Sequence, residues 1–303
     1  MKTINISNIE NINALNLDTL CLGFFDALHL GHLALIDKAK EIGGTYGVLT
    51  FSRSPKELLL NQKCNIVNTL EMKEEILEKM GVSYLIILDL TWHVLNLSKE
   101  DFITKILKKI NVKNIVCGFD YSFGKMGLGK ASDLMKEEDF KVHIIEEVKN
   151  SKGEKISSTL VHSLIKDGNI EEANIYLTRP YKIKGLIEHG LKNGRRINFR
   201  TANVKPTDLF EIPSNGVYAT KIYVGDKVFN AMTNVGVHPT INQLKEASIE
   251  AFIFDFDQDI YLKDVELEFY KKTRPECKFD SLESLKNQLT HDEQEIREYF
   301  KEL

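Results

Sequence analysis

The sequence predicts two domains of different class, an α/β domain followed by an antiparallel all-β domain with a closing helix. Three observations carry this reading. The chain has 303 residues, long for one hydrophobic core. Its first half alternates short apolar runs with amphipathic helical patterns, the signature of βαβ units around a parallel sheet. After Tyr181 the texture changes to short β-rich runs punctuated by Gly, Asn, Asp and Pro, the pattern of an antiparallel barrel or sandwich.

The elements follow in order. Residues 19–25 (TLCLGFF) read as a buried strand, and 32–42 have helical spacing. Residues 46–51 (YGVLTF) and 83–90 (SYLIILDL) are further strands, with a helix over 71–80 that stops at Gly81. Ser98 opens another helix, with Asp101 three residues on as a variant of the capping box. Residues 114–117 (NIVC) and 141–146 (KVHIIE) complete the strands. A helical pair spans 157–177 around Gly168, and Arg179-Pro180 ends it because a residue before proline disfavours helix. The boundary is placed there, giving domains 1–180 and 181–303. The β runs of the second domain are YKIKGLIEHG, GVYATKIYV, KVFNAMTNVGV, SIEAFIFDF and VELEFYKKT, and a charged helix with apolar residues at helical spacing begins at Ser281.

Composition narrows the function classes. Hydrophobic content of 43% and charged content of 28% fit ordinary globular domains rather than disorder. A formal net charge of −4 leaves no basic surplus, so nucleic acid is not the expected partner. No apolar run approaches the ~20 residues needed to span a bilayer, and the first 15 residues lack a signal-peptide core. The expected compartment is the cytoplasm. Cys21, Cys64, Cys117 and Cys277 are far apart with no CxxC pair, which reads as reduced, mostly buried thiols rather than a zinc site or disulfide frame. Seven of the 40 basic residues are arginine, so Arg179, Arg195, Arg196, Arg200 and Arg274 stand out, because arginine offers a planar fork that lysine lacks, although scarcity alone assigns them no role. The DFDQD run at 255–259 lacks EF-hand spacing and reads as a β-turn, and Trp92-His93 as a surface loop.

The strongest local signal is GFFDALHLGH, residues 23–32, at the end of the first strand. His29, Gly31 and His32 form an HxGH element opening a helix. Unpaired N–H groups and partial positive charge at a helix N-terminus attract phosphate. Two histidines there donate hydrogen bonds to phosphate oxygens and stabilise charge moving onto departing pyrophosphate. Gly31 lets the backbone approach a nucleotide closely.

This element, with Gly23, Phe25 and Asp26 preceding the histidines, resembles the HxGH nucleotidyltransferase superfamily. Three more segments occur in the expected order: FSRSPKELL (51–59), GFDYSFGKMGLG (118–129) and KISSTLVHSLIKDGNIEEANIYLTRPY (155–181). Together they are similar to the FMN adenylyltransferase domain of prokaryotic bifunctional riboflavin kinase/FAD synthetases, which implies a Rossmann-like fold for the first half. The resemblance assigns Asp120 and Phe123 to the flavin and nucleotide pocket, and Ser157, Ser158 and Thr159 to nucleotide phosphates. Two positions depart from the family pattern. His162 stands where an arginine contacts phosphate, and Ala27 replaces a common glycine. Lys125 and Lys130 are the candidates to supply the missing positive charge.

The second half also resembles that family, over its riboflavin kinase domain. The ordered segments are residues 185–203 (GLIEHGLKNGRRINFRTAN), 215–220 (NGVYAT), 234–241 (NVGVHPTI), 248–261 (SIEAFIFDFDQDIY) and 273–289 (TRPECKFDSLESLKNQL). The resemblance implies an antiparallel β-barrel, phosphoryl transfer from ATP to the ribityl 5′-hydroxyl of riboflavin, and Mg²⁺ held by Thr201 with Asn203 nearby. Glu250 falls at the general base, and Arg274 with the closing helix in the part that covers the flavin. Gly185, Gly190 and Gly194 are expected to bend a glycine-rich segment towards the nucleotide. Arg200 replaces a proline and Asn198 a glycine of the family motif, while Thr201 is intact.

The expectation is an enzyme that makes FMN from riboflavin in the barrel and FAD from FMN in the α/β domain. ATP is co-substrate of both steps, with small-molecule partners only and a monomer or weak homo-oligomer as assembly. The alternatives are a kinase with a silent first domain, a flavin-binding regulator without turnover, and a cytidylyl- or pantetheine-type transferase using HxGH.

Overall fold

A computed structural model of the chain describes residues 1–189, 199–239 and 245–303. It divides into two compact units, Met1–Ser158 and Thr159–Leu303.

The first unit is built on a six-stranded sheet. Its strands are β1 (Lys2–Ile6), β2 (Leu17–Leu22), β3 (Tyr46–Phe51), β4 (Tyr84–Leu88), β5 (Val112–Gly118) and, after the small ribbon of β6 (Ser122–Phe123) and β7 (Gly129–Lys130), β8 (Lys141–Ile145). Every pairing in the sheet is parallel, in the order β1-β4-β3-β2-β5-β8. Side chains alternate between two cores. Leu20, Leu22, Leu49, Ile86 and Leu88 enter one, while Cys21, Val48, Leu85 and Ile87 enter the other. Burial on both faces is why these strands read as continuous apolar runs. Each such side chain contributes about 1.5–3 kcal/mol.

Helix α1 (Leu30–Ile42) follows β2, and α2 (Pro55–Leu60) and α3 (Leu70–Lys79) lie between β3 and β4. Short helices α4 (Trp92–Leu95), α5 (Lys99–Phe102) and α6 (Lys108–Ile110) precede β5, and α7 (Ala131–Leu134) precedes β8. Ser98 caps α5 by accepting the Asp101 N–H at 3.0 Å, as its position predicts. Trp92-His93, expected in a loop, begins α4 because the Thr91 hydroxyl caps that turn, although Trp92 stays 56% exposed.

The strand expected over 19–25 ends at Leu22, because Phe25 adopts a left-handed φ of 52° and the chain turns away from the sheet. The edge strand β1 was not among the expected elements. Only two of the cysteines, Cys21 and Cys117, are buried, whereas Cys277 is exposed.

The second unit carries helices α8 (Ser158–Asp167) and α9 (Ile170–Leu177) and a closed barrel. The barrel strands are β9 (Tyr181–Glu188), β10 (Thr201–Pro206), β11 (Gly216–Val224), β12 (Lys227–Pro239), β13 (Lys245–Ile253) and β14 (Asp264–Arg274), in the order β10-β13-β12-β11-β14-β9. The β9–β10 pairing closes the ring antiparallel. The β11–β12 hairpin turns at Gly225, whose φ of 58° suits the first central position of a tight hairpin. Sequence placed the boundary at 180/181, whereas the compact units part at 158/159. The reason is packing: Asn174 of α9 donates to the Phe269 carbonyl of β14 at 2.9 Å and accepts from the Tyr181 N–H at 2.7 Å.

Ser281 caps the closing helix α10 (Leu282–Glu302) by accepting the Ser284 N–H at 3.1 Å. Ile296 and Leu289 of α10 pack against Phe199, Val217, Met232 and Phe254 of the barrel unit. Two of the three DFDQD carboxylates form ion pairs, Asp255 with Arg297 at 2.8 Å and Asp257 with Arg200 at 3.3 Å, while Asp259 accepts the Tyr261 N–H at 3.0 Å. Among the described residues no helix is long and apolar enough to cross a membrane.

Candidate active sites

In the first unit the strand order reverses at β2: β3 lies on one side of it and β5 on the other. Such a switch point leaves a crevice beyond the carboxyl ends of the strands. A cavity of about 250 Å³ occupies it, lined by Gly23, His29, Gly31, His32, Asp120, Tyr121, Lys155, Ser157 and Ser158 among others.

The turn leading into the cavity is tightly constrained. Phe25 and Leu28 hold left-handed φ angles of 52° and 49°, conformations costing about 1–3 kcal/mol each unless the surroundings impose them. Here they do. Thr50 donates to the Phe24 carbonyl at 2.7 Å, Asn68 to the Asp26 carbonyl at 2.6 Å, and the Val67 N–H to the Asp26 carboxylate at 3.3 Å. Asp26 is 5% exposed and Phe25 fully buried, so both act as anchors of the turn rather than as lining groups. A Cβ on Gly23 would lie 2.8 Å from the Phe25 ring, which explains the glycine.

His29 caps α1 and accepts the Gly31 N–H on Nδ1 at 3.1 Å. A neutral imidazole that accepts on Nδ1 carries its proton on Nε2, leaving that nitrogen as a donor. The His29 and His32 rings stack at 3.9 Å, and Phe25 backs His32 at 4.9 Å. At Gly31 a Cβ would stand 3.0 Å from the His29 ring and 3.4 Å from the Ile156 carbonyl.

Across the cavity Lys155 pairs with Asp120 and lies over the Phe119 ring at 4.8 Å. Lys155 was not singled out from the sequence, although it stands two residues before Ser157. Lys125 and Lys130, the expected sources of compensating charge, are exposed and absent from the lining. Phe123 is 5% exposed and packs on Phe102 at 5.2 Å, in the core rather than on the cavity wall. Thr159 lies exposed in the first turn of α8. His162 Nδ1 is 2.9 Å from Glu211 Oε2, and the Tyr181 hydroxyl fixes the Glu211 carbonyl at 2.6 Å.

The second site opens on a cavity of about 360 Å³ in the barrel unit, lined by Thr201, Asn234, Glu250, Arg274, Glu276 and an apolar set that includes Phe199, Phe252, Leu282 and Leu285. Register explains the polar grouping. Glu250 of β13 stands opposite Asn203 of β10 and Asn234 of β12. Thr201, two residues before Asn203, shares that face, and its hydroxyl donates to Glu250 Oε2 at 3.1 Å. Asn234 and Glu276 were missed. Their place at the site depends on strand pairing and on the segment after β14, which no local motif reveals. Asn215 donates to Glu276 at 3.1 Å.

Arg274 makes a forked contact with Asp292 of α10, Nε to Oδ1 at 3.1 Å and Nη2 to Oδ2 at 2.8 Å. Asp292 is 1% exposed, and Gln288 donates to it at 2.8 Å. The pair ties α10 over the cavity mouth. Gly185 does not bend the chain. It lies inside β9, where a Cβ would meet Val204 Cγ1 at 2.5 Å, so it serves close packing of β9 on β10. Gly190 and Gly194 lie outside the described residues.

Comparison with known proteins assigns a family to each part of the chain. Residues 13–160 match the FAD synthetase family model and residues 177–300 the riboflavin kinase model. A bifunctional riboflavin kinase/FMN adenylyltransferase of Listeria monocytogenes is 40% identical, covering 94% of this chain and 93% of its own. The Bacillus subtilis protein of the same name is 35% identical over 100% of this chain and 99% of its own. A Streptococcus pneumoniae crystal structure, described as a macrolide-efflux protein, superposes with a TM-score of 0.90 at 34% identity, covering 98% of this chain and 99% of that one. By full-length similarity and by the two domain models, the chain belongs to the bifunctional riboflavin kinase/FMN adenylyltransferase family.

Proposed function

We propose that the chain phosphorylates riboflavin to FMN in the barrel cavity and adenylylates FMN to FAD in the α/β cavity, using ATP in both. The carrying observation is that the HxGH turn and the Thr201–Glu250 pair each open onto a cavity of their own. The functional division at 180/181 is retained: Ser157 and Ser158 line the first cavity from the head of α8.

In the barrel, Glu250 accepts the proton of the ribityl 5′-hydroxyl as that oxygen attacks the γ-phosphorus of ATP, and ADP leaves. Asn203 and Asn234 flank the carboxylate from neighbouring strands. The apolar wall with Phe199 and Phe252 suits the isoalloxazine ring, and α10, fixed through Arg274, covers it. Thr201 and Asn203 are hard oxygen donors on one face of β10, and among the described residues no group of three His, Cys, Asp or Glu forms a protein-only metal cage. That donor set fits Mg²⁺, which keeps waters and substrate phosphates as ligands. Bound there, it supplies positive charge to the transferring phosphoryl group.

In the first cavity an FMN phosphate oxygen attacks the α-phosphorus of ATP, and the bond to pyrophosphate breaks. His29 donates through Nε2, the N-terminus of α1 faces the phosphates, and Lys155, Ser157 and Ser158 complete the cradle. Asp120 orients the flavin. Phe123 holds the loop that carries Asp120 in place from the core.

Small molecules are the only partners proposed, with no nucleic acid or membrane, in a cytoplasmic monomer or weak homo-oligomer. A second reading, a kinase with a silent first domain, draws on the engagement of His162 by Glu211 where the resembled family has a phosphate-binding arginine. Incubating the protein with FMN, ATP and Mg²⁺ and resolving FMN from FAD separates the two, since only an adenylyltransferase yields FAD.

A further inference from the structure

Lys73 is a lysine buried without a carboxylate in hydrogen-bond contact among its described partners. It sits on α3 at 3% exposure, where its Nζ donates to the Phe24 carbonyl at 3.4 Å and lies over the Phe24 ring at 4.3 Å. An ammonium is costly to bury, and one carbonyl with one ring face only partly replaces its water. Burial pushes the Lys73 ammonium down to about 8, against the opposing pull of Asp26. This group touches neither cavity, and nothing in the proposed chemistry uses it. Its contacts are to the segment that sets the HxGH element in place. Phe24 precedes Phe25 and its left-handed φ, and Leu28, the second left-handed position, precedes His29. The other ties to that segment are neutral at the Phe24 carbonyl, from Thr50 of β3, and at the Asp26 carbonyl, from Asn68. Asp26 is the charged group in electrostatic reach of the ammonium.

We propose that Lys73 is a positioning residue for adenylyl transfer, its buried ammonium holding the 24–28 turn in the conformation that aims His29 and the α1 N-terminus at the nucleotide phosphates. The argument rests on the adenylyltransferase reading of the first cavity and deepens it. A cation holds a carbonyl and a ring face more strongly than a neutral amine does, because both contacts are charge-assisted. As pH rises through 8 the ammonium deprotonates, the hold on Phe24 weakens, and His29 loses its aim. FAD formation therefore loses rate on the alkaline side, while FMN formation, which uses other residues, does not share that limb.

The test uses the full chain and three proteins: the natural sequence, Lys73→Met and Lys73→Arg. Initial rates of FMN to FAD and of riboflavin to FMN are measured from pH 6.5 to 9.5 in each. Lys73→Met is expected to lower kcat for FAD formation on the order of 10- to 100-fold, the scale of a ~1 Å misplacement, with the KM for FMN changed less than about threefold. Lys73→Arg, which stays protonated throughout, is expected to recover most of the kcat and to move the alkaline limb upward by a pH unit or more. Circular dichroism and the thermal unfolding profile of each full chain report that the first unit, which carries Lys73, is folded. A natural enzyme that makes no FAD sinks the adenylyltransferase reading, and the proposal falls with it. A natural enzyme that makes FAD, with Lys73→Met at full kcat or Lys73→Arg leaving the limb unmoved, overturns the Lys73 proposal alone. If Lys73→Met loses folding, the Lys73→Arg profile decides by the same criterion.

Discussion

The hydroxyl of Thr201 donates to the Glu250 carboxylate at 3.1 Å, from a strand directly paired with the one that carries Glu250. The barrel thus brings the proposed metal-side hydroxyl and the proposed proton acceptor together on paired strands, and rigid strands hold such geometry better than loops. Glu250→Gln keeps size and hydrogen bonding but removes the basic oxygen. It is expected to lower kcat for FMN formation by about 10²- to 10⁴-fold, with an unchanged melting temperature and unchanged FAD formation from FMN. Both half-reactions, assayed in one preparation, check this.

Thr201 itself has a chemical and a steric role that substitution separates. Thr201→Ser keeps the oxygen donor and is expected to retain FMN formation within about threefold, whereas Thr201→Ala raises the Mg²⁺ concentration needed for half-maximal rate by about tenfold or more. A Mg²⁺ titration of the kinase rate for each variant provides the measurement. Removal of Mg²⁺ with a chelator is expected to abolish both products.

The Arg274–Asp292 fork joins β14 to the closing helix with the carboxylate almost fully buried. Asp292→Ala leaves the guanidinium without its partner, and breaking a buried pair in this way costs about 3 kcal/mol. The expected signs are a lower melting temperature and a raised riboflavin KM, because α10 no longer holds the cavity mouth. KM for FMN in FAD formation stays where it was. Calorimetry and steady-state kinetics test the two halves of this expectation.

His162 lies against Glu211, a pairing within the second unit. His162→Ala is therefore expected to keep FAD formation within about threefold while destabilising the chain by about 1–3 kcal/mol, since a largely buried carboxylate loses a partner. A tenfold or greater loss of FAD-forming kcat in a folded variant would place His162 in the adenylyl-transfer chemistry instead.

Legibility in the sequence followed locality. The HxGH turn, Ser157 with Ser158 at the head of α8, and Thr201 could be singled out because each motif sits within a few consecutive residues, and each lines a cavity. Glycines misled where local pattern and tertiary packing differ: Gly185 reads as a bend but serves the close approach of β10. The strand predicted through Phe25 stopped at Leu22, since an apolar run does not reveal that a left-handed residue redirects the chain. Asn234 and Glu276 enter the barrel site through register and fold-back. Lys73 reaches the HxGH turn from a helix more than forty residues away. Its helical position was legible, but its burial and its partner were not, because both depend on how α3 lies against the turn after β2.

The central claim is that one chain carries out two sequential ATP-dependent transfers to a flavin. The most direct measurement incubates the purified chain with riboflavin, ATP and Mg²⁺, resolves riboflavin, FMN and FAD chromatographically over time, and repeats the assay starting from FMN. The account predicts FMN first and FAD after it from riboflavin, with FAD and equimolar pyrophosphate from FMN. FMN that accumulates without FAD from either start, or flavin that binds without any product, would contradict it.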